Sequence, residues 1–162
     1  MRIPGVSELS SGDPARVTVQ NALGKARAAL REGKGEGEVI IGCDTVVYLD
    51  GTIHGKPENE STARAMLHAL AGRTHEVLSG LAVLDGAREL TALERTSVTF
   101  RGLDDQMVAW YLATGEWRGR AGGYAIQGAG AALVRAVKGD YENVVGLPLA
   151  RLLDVYPELL SR

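Results

Sequence analysis

The sequence holds 162 residues, 45% of them hydrophobic, which is enough for one substantial core and sets a single domain over 1–162 as the expectation. Its 18 basic and 20 acidic residues leave a formal charge of -2, so no charge imbalance points to nucleic acid or an anionic membrane as partner. No apolar run reaches membrane-spanning length, the start lacks the apolar stretch of a signal peptide, and Cys43 is the only cysteine. A cytoplasmic protein without an intrachain disulfide is expected.

Asp13-Pro14 supplies an N-cap and a proline at the first helical position, and Val19, Ala22, Leu23, Ala26 and Leu30 then recur on one helical face. The run from Glu32 to Glu38 alternates glycine with charge and reads as a surface turn. A strand follows over 39–48, with Asp50-Gly51 as a hairpin signal and a short strand near Ile53. His54-Gly55-Lys56-Pro57 leads into a second helix, where Ala63, Met66, Leu67 and Leu70 keep the helical rhythm and Gly72 ends it. Residues 74–84 and 88–100 read as strands joined at Asp85-Gly86. Asp104 caps a helix through Trp110 and Leu112 that stops at Gly115. The bend GRAGGYAIQGAG precedes a strand around 131–137, and Pro148 opens a last helix with Leu149, Leu152 and Leu153. Helices interleaved with hairpin-linked strands imply an α/β protein on a mixed twisted sheet flanked by helices.

The stretch GCDTVV at 42–47 sets an aspartate inside an apolar strand. A buried carboxylate is rare unless it is paired, hydrogen-bonded or holding a metal. Alone, Asp44 is as readily a structural cap as a functional group. Its company favours function: a hydroxyl follows it, and Lys56 comes after the hairpin. A carboxylate able to hold a divalent metal or take a proton from water, near a lysine able to meet phosphate oxygens, suits phosphate chemistry. In a regular strand Asp44 and Thr45 point to opposite faces, so one site for both requires the strand to end, bend or bulge, which Gly42 eases.

Other features carry less. Lys25 borders the apolar face of its helix and could simply cover the core edge. No P-loop occurs, and the glycines at 119, 122, 123, 128 and 130 form no dinucleotide fingerprint and read as a flexible turn. Cys43 is expected to face the core. His54, His68 and His75 make no metal or triad spacing. Trp110 and Trp117 read as packing residues, and Arg118 and Arg120 as a local anion contact.

Five stretches in order, GCDTVV (42–47), HGKP (54–57), AGRTHEVLSGLAV (71–83), AGGYAIQGAGA (121–131) and GDYENVVGLPL (139–149), resemble the Maf-like proteins. These are nucleoside triphosphate pyrophosphatases distantly related to inosine triphosphatases. The likeness runs from about Gly12 to Leu153. It implies an inosine-triphosphatase-like architecture with a central cleft, and hydrolysis between the α- and β-phosphates with a divalent metal, Mg²⁺ or Mn²⁺. By the same resemblance Asp44 is the catalytic base and a metal ligand. Lys25 and Lys56 serve the phosphates, Glu8 assists metal or water, and Thr45 and Gln127 select the base.

The form of residues 124–128 is similar to the branch acting on dTTP and UTP. The alternatives are a non-catalytic nucleotide-binding or cell-division regulatory protein, and a pyrophosphatase for 7-methyl-GTP. The implied partner is a nucleoside triphosphate, with no nucleic acid or membrane, and a homodimer is suggested by the family alone. Family members also open with a strand and a Ser-x-Ser-Pro-Arg-Arg turn that has no counterpart here. The expectation is a weaker phosphate grip and an uncovered sheet edge.

Overall fold

A computed structural model describes residues 11–33 and 38–161. Helix α1 (Pro14–Arg31) starts as the sequence sets it, with the Asp13 carboxylate accepting the Arg16 N–H ahead of Pro14. Its buried face matches the expected one at Ala22 and Ala26 but is shifted toward smaller and polar residues. Val17, Thr18, Asn21, Ala22, Lys25 and Ala26 are buried, whereas Leu30 is exposed. The cause is how closely the helix approaches the sheet. A Cβ at Gly42 would overlap the Ala22 carbonyl, and one at Gly80 would overlap the Thr18 backbone. Only small or slender side chains fit such a seam.

Strands β1 (Ile40–Leu49) and β2 (Thr52–His54) join through Asp50 and Gly51, both at positive φ as a type I′ turn requires. Helix α2 (Glu60–Leu70) is capped by Asn59, which accepts the Thr62 N–H at 2.8 Å, and it buries Ala63, Leu67 and Leu70. Strands β3 (Thr74–Asp85) and β4 (Arg88–Phe100) form a long hairpin. Helix α3 (Asp105–Ala113) is capped by Asp104 on the Met107 N–H at 2.8 Å. Strand β5 (Val134–Lys138) and the short helices α4 (Tyr141–Val145) and α5 (Leu149–Val155) follow. No helix among the described residues is long and apolar enough to cross a membrane.

The α/β reading, one sheet with helices against it, holds. The strand order is β2-β1-β3-β4-β5, and every described pairing is antiparallel, where the sequence pointed to a mixed sheet. Two of the four pairs are tight hairpins, which only antiparallel strands allow.

Helix α1 covers one face of the sheet, where Ala22 and Ala26 pack on Ala82 and Leu84. The other face carries two apolar clusters. At one end Val47, Val77, Val98 and Phe100 meet α2, α3 and Tyr124. At the other, Leu81, Val83 and Ala92 meet Leu152 and Tyr156. Between them lies a polar row of Thr45, Ser79 and Thr96, neighbours across β1, β3 and β4 or bonded through α4.

Candidate active site

Asp44 sits where β1 passes beneath α1. Opposite it on β3 is Gly80, so the space above the carboxylate belongs to the helix. Asn21 donates to Oδ2 at 3.0 Å, and Lys25 donates to Oδ1. The two donors stand four residues apart on α1 and so share one helical face. The carboxylate is 7% exposed and Lys25 8% exposed, so this is a buried, paired charge rather than a stray one. Each carboxylate oxygen has capacity for a further partner beyond the donor named here.

Asp44 and Lys25 border a cleft of about 220 Å³. Lys56 and Gln127 line it, with Arg120 beside them, while Val47, Val77 and Tyr124 form its apolar side and residues 144–146 its far wall. Asp44, Lys25, Lys56, Thr45 and Gln127 therefore come together in one cleft. Glu8 lies outside the described residues.

The strand does not bend to present both Asp44 and Thr45. Its register with β3 runs unbroken from Ile40 to Tyr48, so the two side chains do face opposite sides. The cleft instead wraps the edge of β1. Strand β2 pairs only with residues 47–49, and no other strand among the described residues pairs with the outer edge of 40–46. Gly42 serves the close approach of α1 rather than a bulge.

Thr45 meets Ser79, their hydroxyl oxygens 2.7 Å apart. Ser79 also lies 3.4 Å from the Asn143 carbonyl oxygen, and the Asn143 amide donates to Val77 O at 3.1 Å and to Thr96 Oγ1 at 3.0 Å. This buried network pins α4, and with it the far wall, onto the sheet. Cys43 packs against the Leu81–Tyr156 cluster as expected and also borders the cleft, where its thiol donates to the Gly146 carbonyl at 3.1 Å. Burial pushes that thiol up to about 11, so it is no nucleophile at neutral pH.

On the apolar side the Tyr124 hydroxyl lies 2.9 Å from His75 Nε2, and both rings pack edge-on to Phe100. Burial holds Tyr124 above its usual range. Burial, with a smaller contribution from His54, drives His75 down to about 4, so the imidazole is neutral.

Of the described arginines, only Arg120 borders the main cleft. Arg118 stacks on Trp117 at 4.6 Å, and Arg73 pairs with Asp50. Sequence reasoning missed Asn21, Ser79 and Asn143. Asn21 had a signal, since it precedes Lys25 by one helical turn. Ser79 and Asn143 are 64 residues apart, and only the fold joins them.

Among the described residues no group of three His, Cys, Asp or Glu side chains could hold a metal alone. Mg²⁺ characteristically needs no such cage, since one or two carboxylates and the substrate phosphates suffice. Asp44, a cleft-lining carboxylate with spare lone pairs, fits that mode.

Comparison with known proteins gives a consistent result. The family model "Maf-like protein" matches residues 2–159. The dTTP/UTP pyrophosphatase of Pyrococcus furiosus is 44% identical over 142 residues, 88% of this chain and 74% of the relative. That of Symbiobacterium thermophilum is 43% identical over 155 residues, 94% and 79% of the two chains. That of Deinococcus radiodurans is 43% identical over 141 residues, 87% and 71%.

Proposed function

The chain belongs to the Maf-like family, and from that premise we infer that it is a nucleoside triphosphate pyrophosphatase acting on dTTP and UTP. The observation that carries this reading is Asp44, held by Lys25 and Asn21 at a cleft that also receives Lys56, Arg120 and Gln127.

The residues divide the work by charge. Asp44 accepts a proton from the attacking water while Asn21 and Lys25 fix the direction of its lone pairs. As that water oxygen bonds to phosphorus, the anhydride P–O bond between the α- and β-phosphates breaks, its electron pair stays on the departing phosphate oxygen, and the monophosphate and pyrophosphate leave. Lys56 and Arg120 offset phosphate charge. The Lys25 ammonium borders the same cleft and adds its charge to that field. A divalent metal, Mg²⁺ or Mn²⁺, would be held by Asp44 and Glu8 with the phosphates, and would supply Lewis-acid stabilisation of phosphate charge. Thr45 and Gln127 meet the base, with the Tyr124 side of the cleft as its apolar wall.

The test is pyrophosphate release over a panel of nucleoside triphosphates, with and without added metal. Turnover of dTTP and UTP above the purine nucleotides supports the reading. Binding without pyrophosphate release from any of them would contradict it.

A further inference from the structure

Ser79 is fully buried and lies directly across the β1–β3 pair from Thr45. At 2.7 Å either hydroxyl could be the donor. The second neighbour of Ser79 decides between them. The Asn143 carbonyl oxygen, 3.4 Å from Ser79 Oγ, can only accept. In a continuing helix it would take the Leu147 N–H, but α4 stops at Val145 and that N–H goes to the Glu142 carbonyl at 3.1 Å. A buried carbonyl deprived of its helical donor needs another. The Ser79 hydroxyl hydrogen meets that need, so Ser79 Oγ accepts from Thr45. Cys43 lies on the same face, and its own hydrogen goes to the Gly146 carbonyl.

We propose that Ser79 is a positioning residue for base selection: by taking the Thr45 hydroxyl hydrogen it leaves Thr45 an acceptor only, which selects a pyrimidine carrying an imide N–H over one with a bare ring nitrogen there. The proposal rests on the reading of Thr45 as a base contact. Uracil and thymine present N3–H between two carbonyls, whereas cytosine presents an N3 lone pair. A freely rotating hydroxyl satisfies either, and one whose hydrogen is already committed satisfies only the first. Gln127 does not make this choice, because turning its amide over exchanges donor for acceptor.

The experiment measures kcat/KM for UTP and CTP in the wild type, Ser79→Ala, Ser79→Cys and Thr45→Val. In Ser79→Ala the UTP/CTP ratio is expected to fall by about tenfold, the scale of one hydrogen bond, through KM rather than kcat. Thr45→Val should lower the ratio as well. An unchanged ratio in Ser79→Ala beside a lowered one in Thr45→Val overturns the proposal and spares the base contact. An unchanged ratio in Thr45→Val removes the base contact and the proposal with it. Ser79→Ala also strips the Asn143 carbonyl of its donor. Should it not fold, Ser79→Cys keeps the volume while weakening both hydrogen bonds; a fall in its ratio supports the proposal, and a wild-type ratio overturns it.

Discussion

Residues 44 and 45 adjoin in sequence but serve opposite faces of the sheet, and the two faces are built on different physics. Under α1, Asp44 meets an ammonium and an amide brought close by a seam of glycine and alanine. On the other face Thr45 meets hydroxyls and an amide set between two apolar clusters, with no charged partner in that chain of contacts. The lesson concerns placement. Proton transfer and phosphate binding require charge, so they sit where a helix can supply the opposite charge. Telling one base from another requires fixed neutral donors and acceptors, which burial orients. The edge of β1 at 40–46, unpaired among the described residues, lets one cleft use both.

The largest expected effect tests the charged face. Asp44→Asn keeps size and hydrogen bonding but removes the base, and turnover should drop by about 10²-fold or more. Circular dichroism would show whether the fold persists, as the account requires despite Lys25 losing its counter-charge. A folded variant with full turnover would remove Asp44 from the chemistry.

On the neutral face, acidification should act on stability. His75 titrates near 4 when folded and near 6.5 when unfolded. The unfolded chain therefore binds a proton over that interval that the folded chain does not. Stability from this group is complete above pH 6.5 and lost as pH falls toward 4, by about 3 kcal/mol at roughly 1.4 kcal/mol per unit. Urea melts at pH 7 and pH 4.5 measure it, and His75→Phe should flatten the slope. A slope that survives the substitution would place the titrating group elsewhere.

Close packing under α1 gives the next effect. Gly42→Ala would press a methyl into the Ala22 carbonyl and to 3.0 Å from Ala26 Cβ. A cost of about 1–3 kcal/mol is expected, with lower activity because the shifted helix carries Asn21 and Lys25. Unaltered melting would mean that the seam has slack.

The smallest effect concerns base choice. Gln127→Glu loses the amide donor, so the dTTP/GTP ratio of kcat/KM should fall by about tenfold while phosphate binding changes less. An unchanged ratio would show that Gln127 does not read the base.

Local chemistry made much of this legible. The Asp-Gly turns at 50–51 and 85–86 mark both hairpins, and Asp13 and Asp104 each cap the helix that follows them. Asp44 stood out because a carboxylate in an apolar strand needs a reason. The buried face of α1 was only partly legible: Ala22 and Ala26 are buried as expected, but periodicity could not register that the glycines the helix crosses lie on β1 and β3, which brings in Thr18, Asn21 and Lys25 and leaves Leu30 exposed. An uncovered sheet edge was expected, but face alternation along a strand does not say that, among the described residues, it lies on β1 at 40–46 or that the cleft wraps it. Ser79 and Asn143 carry no local signal, their meeting being a property of the folded chain alone.

The most direct test of two faces serving two tasks is steady-state UTP and CTP kinetics in Asp44→Asn and Thr45→Val side by side. The account predicts that Asp44→Asn lowers kcat with the UTP/CTP ratio unchanged, and that Thr45→Val lowers the ratio with kcat for UTP largely kept. If both variants lose turnover and selectivity together, the two faces form a single inseparable site and the division drawn here is wrong.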